Sequence, residues 1–412
     1  MKVLLLTQWF HPEPESSRGL PFARWLQARG HDVTILTGFP NYPKGELYPG
    51  YKLKVRQWDE VQGVKVLRVP LYPNHDTSAS KRIVNYASFA AAATVIGMPL
   101  VGDVDVVYAM ATPPTTGLPP FFNQIFRRVP YLFNVTDLFP DAVLESGMVQ
   151  SKVKTAVIRR SVEKLVDVVY GNAAYVTAIS RGYRDILIER GLPAEKVHTI
   201  FNWVDEDLFH PVPRNEELAQ RLGLAGKTNF IYAGNFGPLQ GIDTIIRAAA
   251  HLQHIPDLQI ALVGTGQLDA ELRALAASLN LKNVHFTGRV QQHEMPDIYA
   301  LADVLLIHLN TSEYLRATVP SKTQASLSVG RPVAMAAIGD APDIIKESGA
   351  GLVCEPRDPA ALADVMLRLY NMPHAEREEM GQKGRAFYLD HMSLDHGGAE
   401  LERLLLRAAE GR

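Results

Sequence analysis

In the second half of the chain, three glycine turns stand where strands would end. They are Gly234-Asn235-Phe236-Gly237 with Gln240-Gly241, then Gly264-Thr265-Gly266, then Gly288-Arg289-Val290. Small residues at a strand-to-helix turn let backbone N–H groups and a helix N-terminus approach a phosphate. One such turn means little, but three at successive strand ends of one sheet point to a nucleotide site. A further loop, Asn310–Lys322, brings Glu313, Arg316, Ser321 and Lys322 to a strand end, with a helix starting near Ser321. Two cations beside a helix N-terminus suit a diphosphate, because dipole and charge act on it together.

The first half offers other chemistry. Its first strand-to-helix loop, Gln8–Gly19, has the single glycine Gly19, where a dinucleotide fingerprint needs three. No nucleotide is expected there, and His11, Glu13 and Arg18 become binding or catalytic candidates, with surface charge as the plainer alternative. The stretch Asn134–Asp141 places Asp137 and Asp141 at another strand end, where helix capping is the alternative. Asp103-Val104-Asp105 and Asp205-Glu206-Asp207 match Asp-x-Asp metal patterns but read as structural. The 13 histidines show no paired zinc spacing, and there is no nucleophile elbow or Walker sequence. No metal and no cofactor are expected. A near-neutral chain without a recognisable motif also argues against nucleic acid.

These loops need two sheets to hold them. Apolar runs at Lys2–Thr7, Val33–Leu36, Val64–Val69, Val104–Tyr108, Tyr131–Val135 and Tyr175–Ala178 alternate with helical patterns and predict a parallel sheet. Phe230–Ala233, Gln259–Val263, Val284–Phe286, Val304–Ile307, Pro332–Ala336 and Leu352–Val353 predict a second. The Pro-containing stretch Asn202–Arg214 reads as the linker. With 412 residues, 47% of them hydrophobic, the chain can fill two cores.

Residues 1–200 hold 23 Lys/Arg against 17 Asp/Glu, a net +6, and the remainder 19 against 27, a net −8. The one cysteine, Cys354, predicts a reducing compartment. The short opening apolar run reads as a strand and not a signal peptide, so a cytoplasmic protein is expected. The apolar stretch Tyr86–Val101, behind Lys81 and Arg82, falls short of a spanning helix and predicts a core helix or a membrane-surface helix.

Four stretches carry a family likeness: Gly38-Phe39-Pro40-Asn41-Tyr42-Pro43, Asp137-Leu138-Phe139-Pro140-Asp141, Gly234-Asn235-Phe236-Gly237 with Gln240-Gly241, and Val319-Pro320-Ser321-Lys322 with Gly330-Arg331-Pro332. In their order and spacing the whole chain resembles the retaining GT-B glycosyltransferase family four, in its bacterial O-antigen, capsule and colanic-acid branch. The resemblance implies an α/β chain of two Rossmann-like, doubly wound domains facing each other across a cleft. Residues 1–205 would bind the acceptor and 206–385 the nucleotide sugar, with 386–412 a helix packing back on the first domain.

The resemblance implies transfer of a sugar, with retention, from a nucleotide diphosphate sugar. The donor would be UDP-linked, an N-acetylated amino sugar being one option. The acceptor would be a glycan or a polyprenyl-diphosphate-linked sugar of surface polysaccharide assembly. No metal is implied, and the site of action would be the inner face of the membrane. Lys152, Lys154, Arg159, Arg160 and Lys164 could meet anionic headgroups there.

Residue roles follow from the same likeness. Asp137, Glu13, Lys322 and Arg316 are the catalytic candidates. His11, Arg18, Asn41, Tyr42 and Asp141 would bind acceptor. Gly234, Asn235, Gly237, Gln240, Gly264, Gly266, Arg289, Val290, Pro320 and Ser321 would bind donor. Two departures stand out: a glutamate pair usual in the wider family falls on Ala317 and Ala325, and its basic residues in the first glycine turn fall on Asn235 and Gln240. Gln324, Glu313 and Asp340 then become candidates for sugar and ribose contacts, and Arg316, Lys322 and Arg289 for the positive charge. A nucleotide-sugar 2-epimerase of the same fold and a catalytically silent nucleotide-binding subunit are the rival readings.

Overall fold

The structure, a computed structural model, describes residues 1–13, 18–75, 79–141 and 152–411. It divides into two units. The first comprises Met1–Asn202 and Gly397–Arg412 and the second Trp203–His396. The first unit thus ends at Asn202, not 205, and the chain rejoins it at Gly397, not 386.

Eight strands form the first sheet: β1 (Lys2–Leu6), β2 (Asp32–Gly38), β3 (Gln57–Val61), β4 (Val64–Val69), β5 (Val106–Met110), β6 (Tyr131–Val135), β7 (Tyr175–Ala178) and β8 (Val197–Thr199). Their order is β3-β4-β2-β1-β5-β6-β7-β8. The central strands β1, β5 and β6 are buried along nearly their whole length, as expected for parallel strands covered on both faces. Two strands were not foreseen. β8 is only three residues long, and β3 runs antiparallel to β4. The β3–β4 hairpin turns on Gln62 and Gly63, both at positive φ, which matches the strand twist. Its edge strand alternates half-buried with exposed residues and so lacks a buried apolar run.

The second sheet holds β9 (Thr228–Ala233), β10 (Leu258–Val263), β11 (Val284–Gly288), β12 (Val304–His308), β13 (Val333–Ala336) and β14 (Gly351–Cys354). All pair in parallel, in the order β11-β10-β9-β12-β13-β14. The helix Ile242–Leu252 shows why they assemble. Ile242, Ile245, Ile246, Ala249 and Leu252 fall on one side and are buried among Phe230, Ile260 and Leu262 from the sheet and Leu362 and Met366 from the helix Pro359–Asn371. Asp358 starts the latter helix by accepting a hydrogen bond from the Ala361 backbone N–H at 2.9 Å.

The expected C-terminal helical stretch is two helices, His374–His391 and Leu394–Glu410. In the first unit, Glu402 of the last helix accepts from Arg29 Nε at 2.7 Å and lies 2.7 Å from His31 Nε2. Gly398 lets the same helix lie on the Trp25 ring, where a β-carbon would sit 3.2 Å from the indole.

Candidate functional site

In the second sheet, β9 is flanked by β10 on one side and β12 on the other, so the winding direction reverses between β9 and β12. Ligands of open α/β sheets bind at the carboxyl ends of strands beside such a reversal. The three glycine turns follow β9, β10 and β11 and are zipped together through backbone bonds. Gly234 N donates to Val263 O at 2.9 Å, Phe236 N to Thr265 O at 3.0 Å and Gly264 N to Gly288 O at 2.9 Å. The approach is closest at Gly264, with φ +142°, where a β-carbon would lie 1.9 Å from the Gly234 carbonyl oxygen. At Gly266 it would lie 2.6 Å from both Phe236 N and O. The glycines therefore pack two loops into one layer, which side chains could not enter.

The loop after β12 closes on this layer across the reversal. Asn310 N donates to Leu239 O at 2.8 Å, and its side-chain amide to Pro238 O at 2.5 Å. The helix Ser321–Ser328 then begins with Pro320 before its first turn, and Lys322 runs beneath the first glycine turn. Its ammonium lies 3.7 Å from the Tyr232 ring centroid and donates to the Tyr232 hydroxyl, which itself donates to Asn235 O at 2.9 Å. A β-carbon at Gly234 would be 2.6 Å from Lys322 Cε. Among the described residues no carboxylate pairs with this ammonium. Burial alone pulls it down to about 7.

Lys322 is thus a cation partly withdrawn from water, at a helix start and a glycine turn, with no anion beside it among the described residues. Sequence reasoning found Lys322 but missed Tyr232, Asn310 and His308. His308 ends β12, and a β-carbon at Gly241 would be 2.3 Å from its ring. Burial depresses its imidazole to about 4. An aromatic or histidine inside a buried strand reads as core, and an asparagine in a loop as a turn residue, so no local signal in the sequence flags them.

Other donor candidates spread around the same sheet edge. Asn235, Gly237 and Gln240 make up the first turn, with a Gly237 β-carbon 2.8 Å from Gln240 Oε1 and 2.9 Å from Asn235 Nδ2. Arg289 is exposed and Val290 half-buried after β11, and Ser321 is exposed. Arg316 is exposed, and Gly339, at φ +87°, lets Asp340 begin its helix hard against the Arg316 carbonyl. Gln324 is 2% exposed, with its Oε1 unpartnered. The side chain of Glu313 lies outside the described residues, as do those of Lys152 and Lys154. A cavity of about 260 Å³ lined by Asp303, Arg331, Pro332 and Arg385 sits at the amino ends of β12 and β13, away from this site.

At the carboxyl end of the first sheet, several candidates prove to be scaffold. Arg18 is fully buried and directs five N–H bonds to five acceptors: Tyr108 Oη at 2.9 Å, Asn134 Oδ1 at 2.8 Å, Asn202 Oδ1 at 2.9 Å, Ile200 O at 2.5 Å and Phe201 O at 3.1 Å. An acceptor-binding role for Arg18 is therefore corrected: it bolts the first loop to β5, β6 and the exit from β8. Glu13 is likewise a bracket, accepting from the backbone N–H groups of Phe10 at 3.0 Å, Asn41 at 2.6 Å and Tyr42 at 2.7 Å. Burial pushes its carboxyl up to about 7, against those three donors and Arg68. With both oxygens turned into the loops, it positions rather than reacts.

Asn41 is buried, donating to Phe39 O at 3.1 Å. Tyr42 stacks on Trp9 with centroids 4.6 Å apart. His11 is exposed, and Asp141 pairs with Arg190 at 2.5 Å. Asp137 stays at the sheet's carboxyl end, accepting from Thr112 Oγ1 at 3.3 Å.

Residues 214–387 match the family of glycosyl transferases group 1, and residues 20–203 match the glycosyl transferase 4-like domain. The chain is a two-domain glycosyltransferase of the GT-B type. Among its relatives is the putative colanic acid biosynthesis glycosyl transferase WcaI of Escherichia coli (strain K12), 28% identical over 74% of this chain and 75% of that one. Another is the probable glycosyltransferase WbjE of Pseudomonas aeruginosa, 27% identical over 66% of this chain and 68% of that one. Anabaena Alr3699/HepE in complex with UDP-glucose shares the fold, with a TM-score of 0.68 at 16% identity over 99% of this chain and 100% of that one. The glycine layer of this glycosyltransferase lies within its group 1 match, whereas Glu13 and Arg18 sit just ahead of the 4-like match and hold residues inside it, Asn41, Tyr42, Tyr108 and Asn134.

Proposed function

We propose that this glycosyltransferase moves a hexose or N-acetylhexosamine from a UDP-linked donor, with retention, onto a polyprenyl-diphosphate-linked sugar or glycan of bacterial surface polysaccharide. The observation that carries the donor side is Lys322, a half-buried ammonium with no carboxylate partner among the described residues, beneath a glycine turn and at a helix start. Its missing counter-ion is the donor diphosphate. The leaving diphosphate gains negative charge in the transition state, and a fixed cation with aligned N–H dipoles stabilises it without reorganising. We read the chemistry as metal-independent for that reason, with Arg316 as the second cation.

On the acceptor side, Asp137 is the carboxylate retained at the end of the first sheet, to orient an acceptor hydroxyl. Retention is what the family likeness implies, and a donor phosphate oxygen then takes the acceptor proton. The UDP preference draws on HepE, whose structure holds UDP-glucose, and the polysaccharide acceptor on the name of WcaI. We place the protein in the cytoplasm, at the inner face of the membrane.

The test is calorimetric titration of the purified chain with UDP, GDP, ADP and their sugars, in EDTA, followed by NMR of the product's anomeric centre. Binding of one diphosphate and its sugars, then an axial-to-axial or equatorial-to-equatorial product, is expected. Full conversion of the sugar without any acceptor would instead identify an epimerase. Binding with no turnover on lipid-linked acceptors would identify a silent subunit.

A further inference from the structure

The helix Leu118–Arg127 in the first unit has an apolar side made of Phe122, Ile125 and Phe126. An amphipathic helix ordinarily buries such a side. Here it faces outward: Phe122 is 37% exposed, Ile125 55% and Phe126 79%, while Pro119, Pro120 and Asn123 face inward. Phe122 stacks on Phe126 with centroids 6.5 Å apart.

This helix packs against the π-helical turn Ala93–Gly97 of a longer helix, Ser80–Val101. The outer side of the longer helix repeats every four residues as Ile83, Ala87, Ala91, Val95 and Pro99, all apolar and all exposed, Val95 at 73%. Two neighbouring helices thus present apolar sides to the outside.

Charge at the rim is mainly positive, with the exposed Asp103 just past the long helix as the acidic exception. Lys81 and Arg82 open the long helix, and Arg127 and Arg128 close the shorter one. Neither 79–102 nor 106–136 contains an acidic residue. Apolar helix sides rimmed by four cations against one carboxylate complement an anionic lipid surface, where basic residues meet headgroups and aromatic residues enter the acyl boundary.

The long helix is long and apolar enough to cross a bilayer by length and composition alone. Its inner side nevertheless holds Phe89, Ala90, Ala93 and Met98 in the core. Gly97 lies against Leu36 of β2, where a β-carbon would be 2.7 Å away. Spanning would tear this side from the sheet, so the helix can only lie on the surface.

We propose that the face formed by Ser80–Val101 and Leu118–Arg127 docks on an anionic bilayer, with Val95, Phe122, Ile125 and Phe126 inserted at the headgroup boundary. The inference deepens the lipid-linked acceptor reading, yet its test needs no turnover.

The full chain is floated with vesicles of phosphatidylcholine, with and without phosphatidylglycerol, at low and high salt. Binding to the anionic vesicles, weakened by salt, is expected. The triple variant Phe122→Ser, Ile125→Ser, Phe126→Ser should lose ~10-fold or more in partitioning, and Arg127→Gln with Arg128→Gln should lose the anionic preference. Because these side chains are exposed, melting temperatures should hold. Phe126→Trp supplies a gain of signal, a blue-shifted emission quenched by brominated lipid.

Absence of flotation at low salt, or full binding by the triple variant, overturns the proposal. A dimer in sedimentation that the triple variant abolishes, with vesicle binding unchanged, also overturns it and assigns the face to a second copy. The nucleotide-induced melting shift, read on the same samples, reports the donor site. Its absence with vesicle binding intact would sink the donor-site reading and leave this one standing.

Discussion

The lysine beneath the glycine turn makes a prediction with two signs. In the unliganded protein, burial brings Lys322 from an ordinary 10.5 down to about 7. Below pH 7 both folded and unfolded chains carry the proton, and the folded one bears the cost of burying it. As pH rises from about 7 towards 10.5, the folded chain sheds the proton and that cost is relieved. At 1.36 kcal/mol per pH unit, the cost below pH 7 is on the order of 5 kcal/mol. Lys322→Met keeps the length and removes the charge, and Tyr232 retains its bond to Asn235 O. Recovering even ~2 kcal/mol of that cost would raise the melting temperature by about 5 °C near neutral pH, since a unit of this size gains ~2–4 °C per kcal/mol.

Ligand binding has the opposite sign. A sugar-capped diphosphate stays fully ionised across this range, and in its presence the ammonium is favoured again. Binding above pH 7 must therefore take up a proton, so donor affinity should fall about tenfold per pH unit above 7 and be flat below it. Calorimetry in buffers of different ionisation enthalpy reads that proton directly. Lys322→Met should abolish the slope and weaken the donor by ~2–4 kcal/mol. A variant that melts lower than wild type, or that keeps both the affinity and the pH slope, would refute the assignment of Lys322 to the diphosphate.

Gly264→Ala forces a β-carbon to within 1.9 Å of the Gly234 carbonyl at φ +142°. It should cost ~2 kcal/mol or more and erase the donor-induced melting shift, whereas Gly288→Ala, with open space around it, should cost ~1 kcal/mol and keep the shift. Arg18→Met should destabilise the chain by ~3 kcal/mol in urea unfolding, because it takes the side-chain donor from the Ile200 and Phe201 carbonyls and leaves Asn134 Oδ1 with Thr177 alone, while leaving calorimetric donor affinity unchanged. Cys354, whose thiol burial pushes up to about 12, should resist iodoacetamide at pH 8 in the native protein and react fully in urea, as read by mass spectrometry.

How far the sequence revealed the site follows from how local each requirement is. Glycines at strand ends are legible because a positive φ or a close backbone approach excludes side chains, and that demand shows in the residue itself. Lys322 is legible as a cation beside a helix start. Arg18 and Glu13 look like its equals, charged residues on a long loop at a sheet's carboxyl end. What separates them is non-local: Arg18 is held by partners near positions 108, 134 and 200, and Glu13 by amides at 41 and 42. Those two are satisfied by the protein itself and need nothing more. Lys322 is held by a phenol and a ring face, which leave a half-buried charge uncompensated. On our proposal the compensating anion arrives with the substrate, as the donor diphosphate. Charges met by the protein's own partners are thus read as scaffold, and the one left without an anion is the one we propose for the diphosphate.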